Sequence, residues 1–216
     1  MGINTPSTRG INAIIVVGIE GWEEFTLPAI KSIRIHNPDD YLILVDAGSK
    51  VPYPRNEYAQ LLRLDESPSY AYALNSGIQL ASKSDWYLLL NNDVICQGPI
   101  PWHDLHPEFI YTRQIIEEDG NRWMGLWIAA VSRKVWSAVG RFDEKFLLCG
   151  FEDADYCIRA KQLGIDTVHY PFPVRHLWGK TRWGLPGYTE IREDNINYFA
   201  SKHGFRLGAN MQVLSD

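Results

Sequence analysis

The hydrophobic positions of this chain recur with two different spacings, and the two alternate. Asn12-Ala13-Ile14-Ile15-Val16-Val17-Gly18 is apolar at almost every position, the pattern of a strand buried on both faces. From Trp22 to His36 the apolar residues Phe25, Leu27, Ile30 and Ile33 fall at helical spacing, and Asn37-Pro38 ends the run. Tyr41 to Val45 predicts a second buried strand, stopped by Asp46-Ala47-Gly48-Ser49. A short strand follows around Leu61 to Leu64, then a helix over Ala71 to Ala81. Asp85 to Leu90 predicts another strand, ending at Asn91-Asn92-Asp93. Strand–helix–strand alternation of this kind predicts a parallel α/β sheet with helices on both faces. Right-handed crossovers then put every strand's C-terminal end on one edge, where open α/β sheets bind ligands.

The second half changes character. Phe109–Ile116 and Arg122–Val131 flank the turn-rich Glu118-Asp119-Gly120-Asn121 and suit a hairpin. Arg133–Val139 and Asp153–Leu163 predict helices, Thr167–Tyr170 a last strand, and Tyr188–Lys202 a final helix closed by Gly204. Residues 1–11, with Pro6, Ser7 and Gly10, predict a flexible lead-in. Residues 12–216 predict one α/β domain.

Composition narrows the function classes. With 45% hydrophobic and 22% charged residues in 216, the chain has enough apolar material for one core and is not disordered. A net charge of −5 without a Lys/Arg-rich run argues against nucleic acid or an anionic membrane as main partner. No apolar stretch approaches the roughly 20 residues that span a bilayer, and the start lacks a signal-peptide pattern. Cys96, Cys149 and Cys157 have no metal-ligand spacing and fit a reducing cytoplasm. The unusual feature is 8 Trp, 11 Tyr and 8 Phe, which serve as core or as stacking walls for bases and sugars.

Four places carry candidate chemistry. Asn91-Asn92-Asp93 ends a strand on the ligand edge, where a carboxylate can hold a divalent cation that keeps positions open for phosphate; the same residues are also common turn formers. Asp46 ends the preceding strand on that edge and can accept from a base N–H or a ribose hydroxyl, or simply cap a turn. Gly150-Phe151-Glu152-Asp153-Ala154-Asp155 places three carboxylates at a helix start. That favours the helix dipole and also offers a general base toward a hydroxyl. His176 lies in a Trp- and Gly-rich stretch with Arg175, Lys180 and Arg182, a possible metal ligand among cations suited to a diphosphate. The phosphate-loop, dinucleotide and Gly-x-Ser-x-Gly fingerprints are absent from the sequence.

The order of these pieces resembles the family-2 type glycosyltransferases of the GT-A fold, in their rhamnosyltransferase-like branch. Leu42-Ile43-Leu44-Val45-Asp46-Ala47-Gly48-Ser49 is similar to that family's nucleotide-binding strand end, and Ala73-Leu74-Asn75-Ser76-Gly77-Ile78 to the helix before its metal strand. Tyr87 to Val94 is similar to its Tyr-Leu-Leu-Leu-Asn-Asn-Asp signature. Gly140-Arg141-Phe142-Asp143-Glu144, with Phe151-Glu152-Asp153-Ala154-Asp155-Tyr156-Cys157-Ile158-Arg159, looks like its Glu-Asp motif. Asn197 to Gly204 looks like its closing helix. Departures are Gly18-Ile19-Glu20-Gly21 after the first strand, Ala47 for a second acid, and Asn91 for the first Asp of the metal motif.

The resemblance implies a mixed, mainly parallel central sheet flanked by helices, forming a single catalytic domain. It implies an inverting, metal-dependent transfer of a sugar from a nucleotide-diphosphate donor (UDP, dTDP or GDP) to a hydroxyl of a glycan, lipid-linked or protein acceptor, in glycan biosynthesis. Val17, Gly18, Ile19, Asp46, Tyr70, Asn75, Asn92 and Asp93 are implied around the donor, with Mn2+ or Mg2+ on Asp93 and His176. Asp153 is implied as general base, with Glu152 orienting it or the acceptor. Trp127, Gly150 and Trp178 are implied at the sugar or acceptor, and Lys180 and Arg182 at the diphosphate. Two other readings remain. A sugar nucleotidyltransferase would carry a basic, Gly-rich first loop, which Gly18-Ile19-Glu20-Gly21 is not; a degenerate sugar-nucleotide or glycan-binding module would not retain Asp93, Asp153 and His176 for chemistry.

Overall fold

The structure, a computed structural model, describes residues 11–113, 115–116, 122–123, 125–178, 187–207 and 213–214. The chain runs β1 (Asn12–Gly18), a π-helical turn (Trp22–Thr26), α1 (Leu27–His36), β2 (Tyr41–Asp46), β3 (Gln60–Arg63), α2 (Tyr70–Leu80), β4 (Trp86–Asn91) and β5 (Val94–Cys96). After a 3-10 turn (Trp102–Asp104) come β6 (Ile110–Thr112), β7 (Ile115–Ile116), β8 (Arg122–Trp123), β9 (Ile128–Ser132), α3 (Arg133–Val139) and α4 (Glu152–Gln162). The last elements are β10 (Thr167–His169), β11 (Val174–His176), α5 (Tyr188–His203), β12 (Arg206–Leu207) and β13 (Val213–Leu214).

Seven strands form the central sheet in the order β10-β6-β9-β4-β1-β2-β3. Strands β4, β1, β2 and β3 are mutually parallel, β9 runs antiparallel to both β4 and β6, and β10 is parallel to β6. The sheet is therefore mixed and mostly parallel, as the resemblance implies; the spacing alone predicts only its parallel part. Alternate side chains of β1 feed two cores, because successive residues of a strand face opposite sides. Ala13, Ile15 and Val17 pack toward α2 and α3, and Ile14 and Val16 pack toward α1 and Phe172. A third cluster, Phe146, Phe151, Ile196 and Phe199, joins α5 to the start of α4. Helix α2 approaches β1 so closely that a Cβ on Gly77 would lie 2.6 Å from Ile15 Cγ2, so glycine sets that spacing.

Three differences from the sequence pattern matter for the site. The expected helix from Trp22 opens as a π turn. Thr26 N–H reaches back to the Gly21 carbonyl (3.1 Å) after the left-handed Glu20 (φ 55°) and Gly21 (φ 62°), and this seats Thr26 fully buried. The expected hairpin forms in two stretches, β6 on β9 and β7 on β8. The sequence pattern missed β5 and β11, which pair antiparallel with His176 opposite Val94 and Val174 opposite Cys96. Three residues are too short a run to show a period. Among the described residues no helix is long and apolar enough to cross a membrane. The lead-in lies outside the described residues except for the exposed Ile11.

Candidate active site

Parallel pairing of β1 with β2 and β4 brings Gly18, Asp46 and Asn91 to one edge. Just beyond β4 the chain turns through Asn92 and Asp93, which are 7% and 5% exposed. The short β5/β11 ribbon then carries His176 to Asp93. Leu177 N–H donates to the Asp93 carbonyl (2.8 Å), and His176 Nε2 lies 3.1 Å from Asp93 Oδ1. That distance is close enough for an ion pair, yet the ring is not aligned for a hydrogen bond, and neither ring nitrogen has a hydrogen-bond partner among the described residues. Two ligands set at right angles on a cation at roughly 2.1 Å would stand roughly 3.0 Å apart. Imidazole nitrogen with carboxylate oxygen is a donor pair suited to Mn2+ or Mg2+. The pair therefore fits a divalent ion. Among the described residues no third His, Cys, Asp or Glu joins them.

Trp127 joins this pair to the second half of the molecule. Its indole stacks on His176 (centroids 4.8 Å apart, planes 29°), and its carbonyl accepts Asn91 N–H (3.1 Å). Trp178 packs edge-on against the other side of the imidazole (4.4 Å, 74°) while remaining 58% exposed. Trp127 Nε1 is, like both His176 nitrogens, buried without a hydrogen-bond partner among the described residues; Tyr156 Oη is the fourth such atom. Unsatisfied buried polar atoms are rare because each costs about 1–3 kcal/mol. Three of these four gather on one stacked pair of rings.

Next to Trp127, Leu126 N–H donates to Asp153 Oδ2 (3.3 Å), and Ala154 N–H donates to Asp153 Oδ1 (2.8 Å). Asp153 is half-buried in the first turn of α4. Glu152, 6% exposed, accepts Gly150 N–H. Tyr70, at the start of α2, donates to Asn91 Oδ1 (2.7 Å). Burial, then the negative charges of Glu152, Asp93, Cys149 and Asp153, push its phenol well above the ordinary tyrosine range, so Tyr70 stays a neutral donor.

Residues with left-handed backbone also cluster at this edge. Among the described non-glycine residues, Glu20, Leu148, Phe151 and Trp178 have positive φ. They lie after β1, before α4 and after β11, on the loops that frame the site. Such conformations cost of order 1–3 kcal/mol each and tend to gather at functional sites.

A third part of the edge is a buried polar chain. Asn92 Nδ2 donates to Thr26 Oγ1 (2.8 Å), Thr26 Oγ1 to Tyr53 Oη (3.1 Å), and Tyr53 Oη to the Glu20 carbonyl. Glu20 N–H in turn donates to Ser49 Oγ (2.8 Å). Burial, the largest effect, drives the Tyr53 phenol up to about 12. A small cavity of about 130 Å3, lined by Glu20, Gly21, Trp22, Val51, Tyr53 and the flanking prolines, opens beside this chain.

Three solved structures share this architecture. Over 91% of the chain, GalNAc-T7 bound to UDP, GalNAc and Mn2+ superposes with a TM-score of 0.63 at 13% identity. The catalytic domain of Drosophila β1,4-galactosyltransferase 7 with xylobiose gives 0.57 over 85% of the chain at 12% identity. A mutant of that enzyme with manganese, UDP-Gal and xylobiose gives 0.55 over 84% at 10% identity. The fold is GT-A.

No protein-family model and no curated relative matches the sequence, so the likeness is one of fold. These three structures are of glycosyltransferases, and the likeness does not reach the rhamnosyltransferase-like branch. The chain spans 51% of the GalNAc-T7 structure and 79% of the galactosyltransferase domain.

Within this GT-A frame the expected site residues divide. Asp93, His176, Asn92, Tyr70, Asp153, Glu152, Gly150, Trp127 and Trp178 lie together around the ends of β4, β5 and β11 and the start of α4. Val17, Gly18 and Ile19 lead into the same edge, with Asn92 N–H donating to the Val17 carbonyl (3.1 Å). Asp46 and Asn75 are instead built into the frame. Asp46 is fully buried; it accepts Ser49 N–H (3.0 Å) and Tyr53 N–H (2.9 Å) and pairs with Arg63 (2.7 Å). Its carboxylate shapes the turn after β2 and has no exposed surface to offer a base or ribose. Asn75 is equally buried. Its amide donates to the Phe142 carbonyl (2.9 Å) and Glu144 (2.7 Å) and accepts Phe142 N–H (3.0 Å). It clamps the Gly140–Glu144 segment onto α2. Lys180 and Arg182 lie outside the described residues. Sequence reasoning missed Thr26 and Tyr53, since a buried Thr and Tyr carry no motif.

Proposed function

We propose that this chain is a metal-dependent glycosyltransferase that inverts the anomeric centre of a nucleotide-diphosphate sugar. The observation that supports this reading best is the Asp93–His176 pair at the C-terminal edge of a GT-A sheet, with three buried ring nitrogens on the same stacked rings that have no hydrogen-bond partner among the described residues. Asp93 and His176 would hold Mn2+ or Mg2+, which when bound neutralises the charge that develops on the departing diphosphate. Solved structures of the same fold hold UDP with Mn2+, and UDP-Gal with manganese and xylobiose, so a UDP-sugar is the first donor to try.

The remaining chemistry falls to the chain's own groups. Asp153 takes the proton of the acceptor hydroxyl as that oxygen attacks the anomeric carbon. The carbon–oxygen bond to the diphosphate breaks on the opposite face, and its electron pair leaves with the diphosphate. A single displacement inverts the centre. Two backbone N–H groups fix the direction of the Asp153 carboxylate, the positioning that general-base catalysis requires. Tyr70, neutral at all physiological pH values, keeps Asn91 in register beside Asp93. Trp127 and Trp178 supply flat apolar walls for a sugar ring.

The test is a binding and turnover panel of UDP-, dTDP- and GDP-sugars with Mn2+, with Mg2+ and with EDTA. Metal-dependent stabilisation by one nucleotide family is expected, together with metal-dependent release of its nucleoside diphosphate. Asp93→Ala should abolish the metal dependence, and Asp153→Asn should keep donor binding while turnover falls about 100-fold or more. Silence of folded protein across the panel would refute the reading.

A further inference from the structure

We infer that Asn195, in the middle of α5, is a positioning residue for the Asp153 base; this rests on the function proposed above. The argument begins with the segment that delivers Asp153. Between Leu147 and Phe151 three residues take positive φ: Leu148 (52°), Gly150 (108°) and Phe151 (75°). Two of the three carry a Cβ, so the segment stands above its relaxed conformation and keeps its shape only where the surroundings impose it. Asp153 follows two residues after Phe151, in the first turn of α4, and no side-chain cap hydrogen bond closes the N-terminus of that helix. Without an external hold, relaxation of the segment would rotate the first turn and carry the carboxylate with it.

Asn195 supplies that hold from a distant part of the chain. Its side chain is 2% exposed and uses both ends of its amide on the segment's backbone. Oδ1 accepts Leu147 N–H (3.0 Å), and Nδ2 donates to the Leu147 carbonyl (2.9 Å) and to the Gly150 carbonyl (3.3 Å). The Leu147 bonds imitate a strand partner, and the Gly150 bond spans the turn between the two left-handed stretches. On the opposite side Leu148 N–H donates to the Pro68 carbonyl (2.9 Å), and the Leu148 carbonyl accepts Tyr70 N–H. The segment is thus gripped from α5 on one side and from the start of α2 on the other.

A second tether fixes the body of α4 to the same helix. Asp155, fully buried, pairs with Lys202 (2.6 Å) and His203 (2.9 Å) of α5 and with Arg159 of its own helix (2.9 Å). The two tethers do different work. Asp155 sets where α4 lies, whereas Asn195 sets the conformation of the residues that lead into its first turn. Only the second acts on the direction in which Asp153 emerges.

A group that acts through Asp153 alone should change the chemical step and spare the donor. The experiment compares wild type, Asn195→Ala, Asn195→Asp and Asp153→Asn by metal-dependent release of UDP from UDP-galactose, or from whichever sugar nucleotide the panel selects. Asn195→Ala is expected to lower kcat at least 10-fold while donor KM and the calorimetric donor Kd stay within 2-fold, measured well below the variant's Tm. Asn195→Asp keeps the side-chain volume and the acceptor for Leu147 N–H and loses both donor bonds, so it separates the two parts of the hold. It is expected to retain more kcat than alanine and less than wild type. Faster amide exchange confined to residues 147–153 should accompany the loss. A folded Asn195 variant with kcat within 2-fold of wild type, or one whose kcat and donor affinity fall together, overturns the inference. If Asp153→Asn turns over normally, the base assignment falls first; if Asp153→Asn is inactive while both Asn195 variants are normal, only the role of Asn195 falls.

Discussion

Replacing Gly18 by alanine tests a tight contact at the strand edge. Gly18 closes β1, and a Cβ placed on it would lie 2.7 Å from Asn92 Nδ2, 2.8 Å from Asn92 Cβ and 2.8 Å from Tyr53 Oη. Its φ is not among the positive ones, so the expected penalty is steric and not conformational. Carbon contacts relax at about 3.5–4.0 Å, so Asn92 would have to retreat by roughly 0.8 Å. Its amide already donates to Thr26 Oγ1 at 2.8 Å, and that retreat would stretch the bond beyond the range of a hydrogen bond. Overpacking costs about 1–3 kcal/mol, and a buried polar group left unpaired costs about 1–3 kcal/mol more. Partial relaxation makes about 3 kcal/mol the expected loss for Gly18→Ala in urea unfolding, with the slope unchanged. Two of the three contacts belong to Asn92, so Asn92→Gly in the same molecule should recover at least about 1 kcal/mol in a double-mutant cycle. Metal-dependent nucleotide binding should weaken in Gly18→Ala, because Asn92 leads directly into Asp93. A Gly18→Ala protein within about 0.5 kcal/mol of wild type, or one showing no coupling to Asn92, would refute this account of the edge.

Further outcomes follow from neighbouring groups. Asp46→Asn should cost about 2–3 kcal/mol, because it leaves Arg63 without its anion and sets an amide against two N–H donors, while the Mn2+ dependence of nucleotide binding survives; loss of that dependence in folded protein would return Asp46 to the ligand. Burial alone would raise the Asp143 carboxyl, but hydrogen bonds from Lys202, Lys145 N–H and Tyr198 override it and hold the group below the usual carboxylate range. A depressed folded-state value means that Asp143 contributes stability above the unfolded carboxylate range, lost as pH falls through the folded-state value. The stability gap between wild type and Asp143→Asn should therefore be full near neutrality and close in acid, and a gap independent of pH would contradict it. Burial also pushes the Cys157 thiol up to about 12. Native protein at pH 8 should leave Cys157 unalkylated by iodoacetamide, with modification appearing only on unfolding.

The sheet and its edge were legible in the sequence because long buried strands and acid-bearing strand ends follow from spacing alone. β1, β2 and β4 appear as uninterrupted apolar runs, and the turn residues after them mark where ligand groups emerge. Three features were not legible. The ribbon of β5 and β11 has three residues on each side, too few for a period, yet it alone explains why His176 stands beside Asp93. The inward roles of Asp46 and Asn75 were hidden because a strand-end Asp or a helical Asn has the same local sequence whether it faces ligand or backbone. Which it does depends on Arg63, Tyr53 and Phe142, partners that only the fold brings near. Asn195 was hidden for the same reason, being one polar residue in a helix whose motif neighbours drew attention elsewhere.

The order of the sheet has a consequence for how this chain opens. Strands β4, β1, β2 and β3 all come from the first half of the sequence, and β10, β6 and β9 from the second, so a single ladder between β4 and β9 is the seam of the sheet. Asp93 belongs to the first half, whereas Asp153, Trp127 and His176 belong to the second. Parting that seam would draw Trp127 and the proposed base Asp153 away from Asp93, with the β5/β11 ribbon still holding His176 beside it, while leaving the parallel β-α-β unit intact. Native-state exchange should then register an opening of intermediate free energy, shared by β9 and β6 and absent from β1. The proposed activity would be bounded by that partial opening, at a temperature below the one at which helical signal is lost.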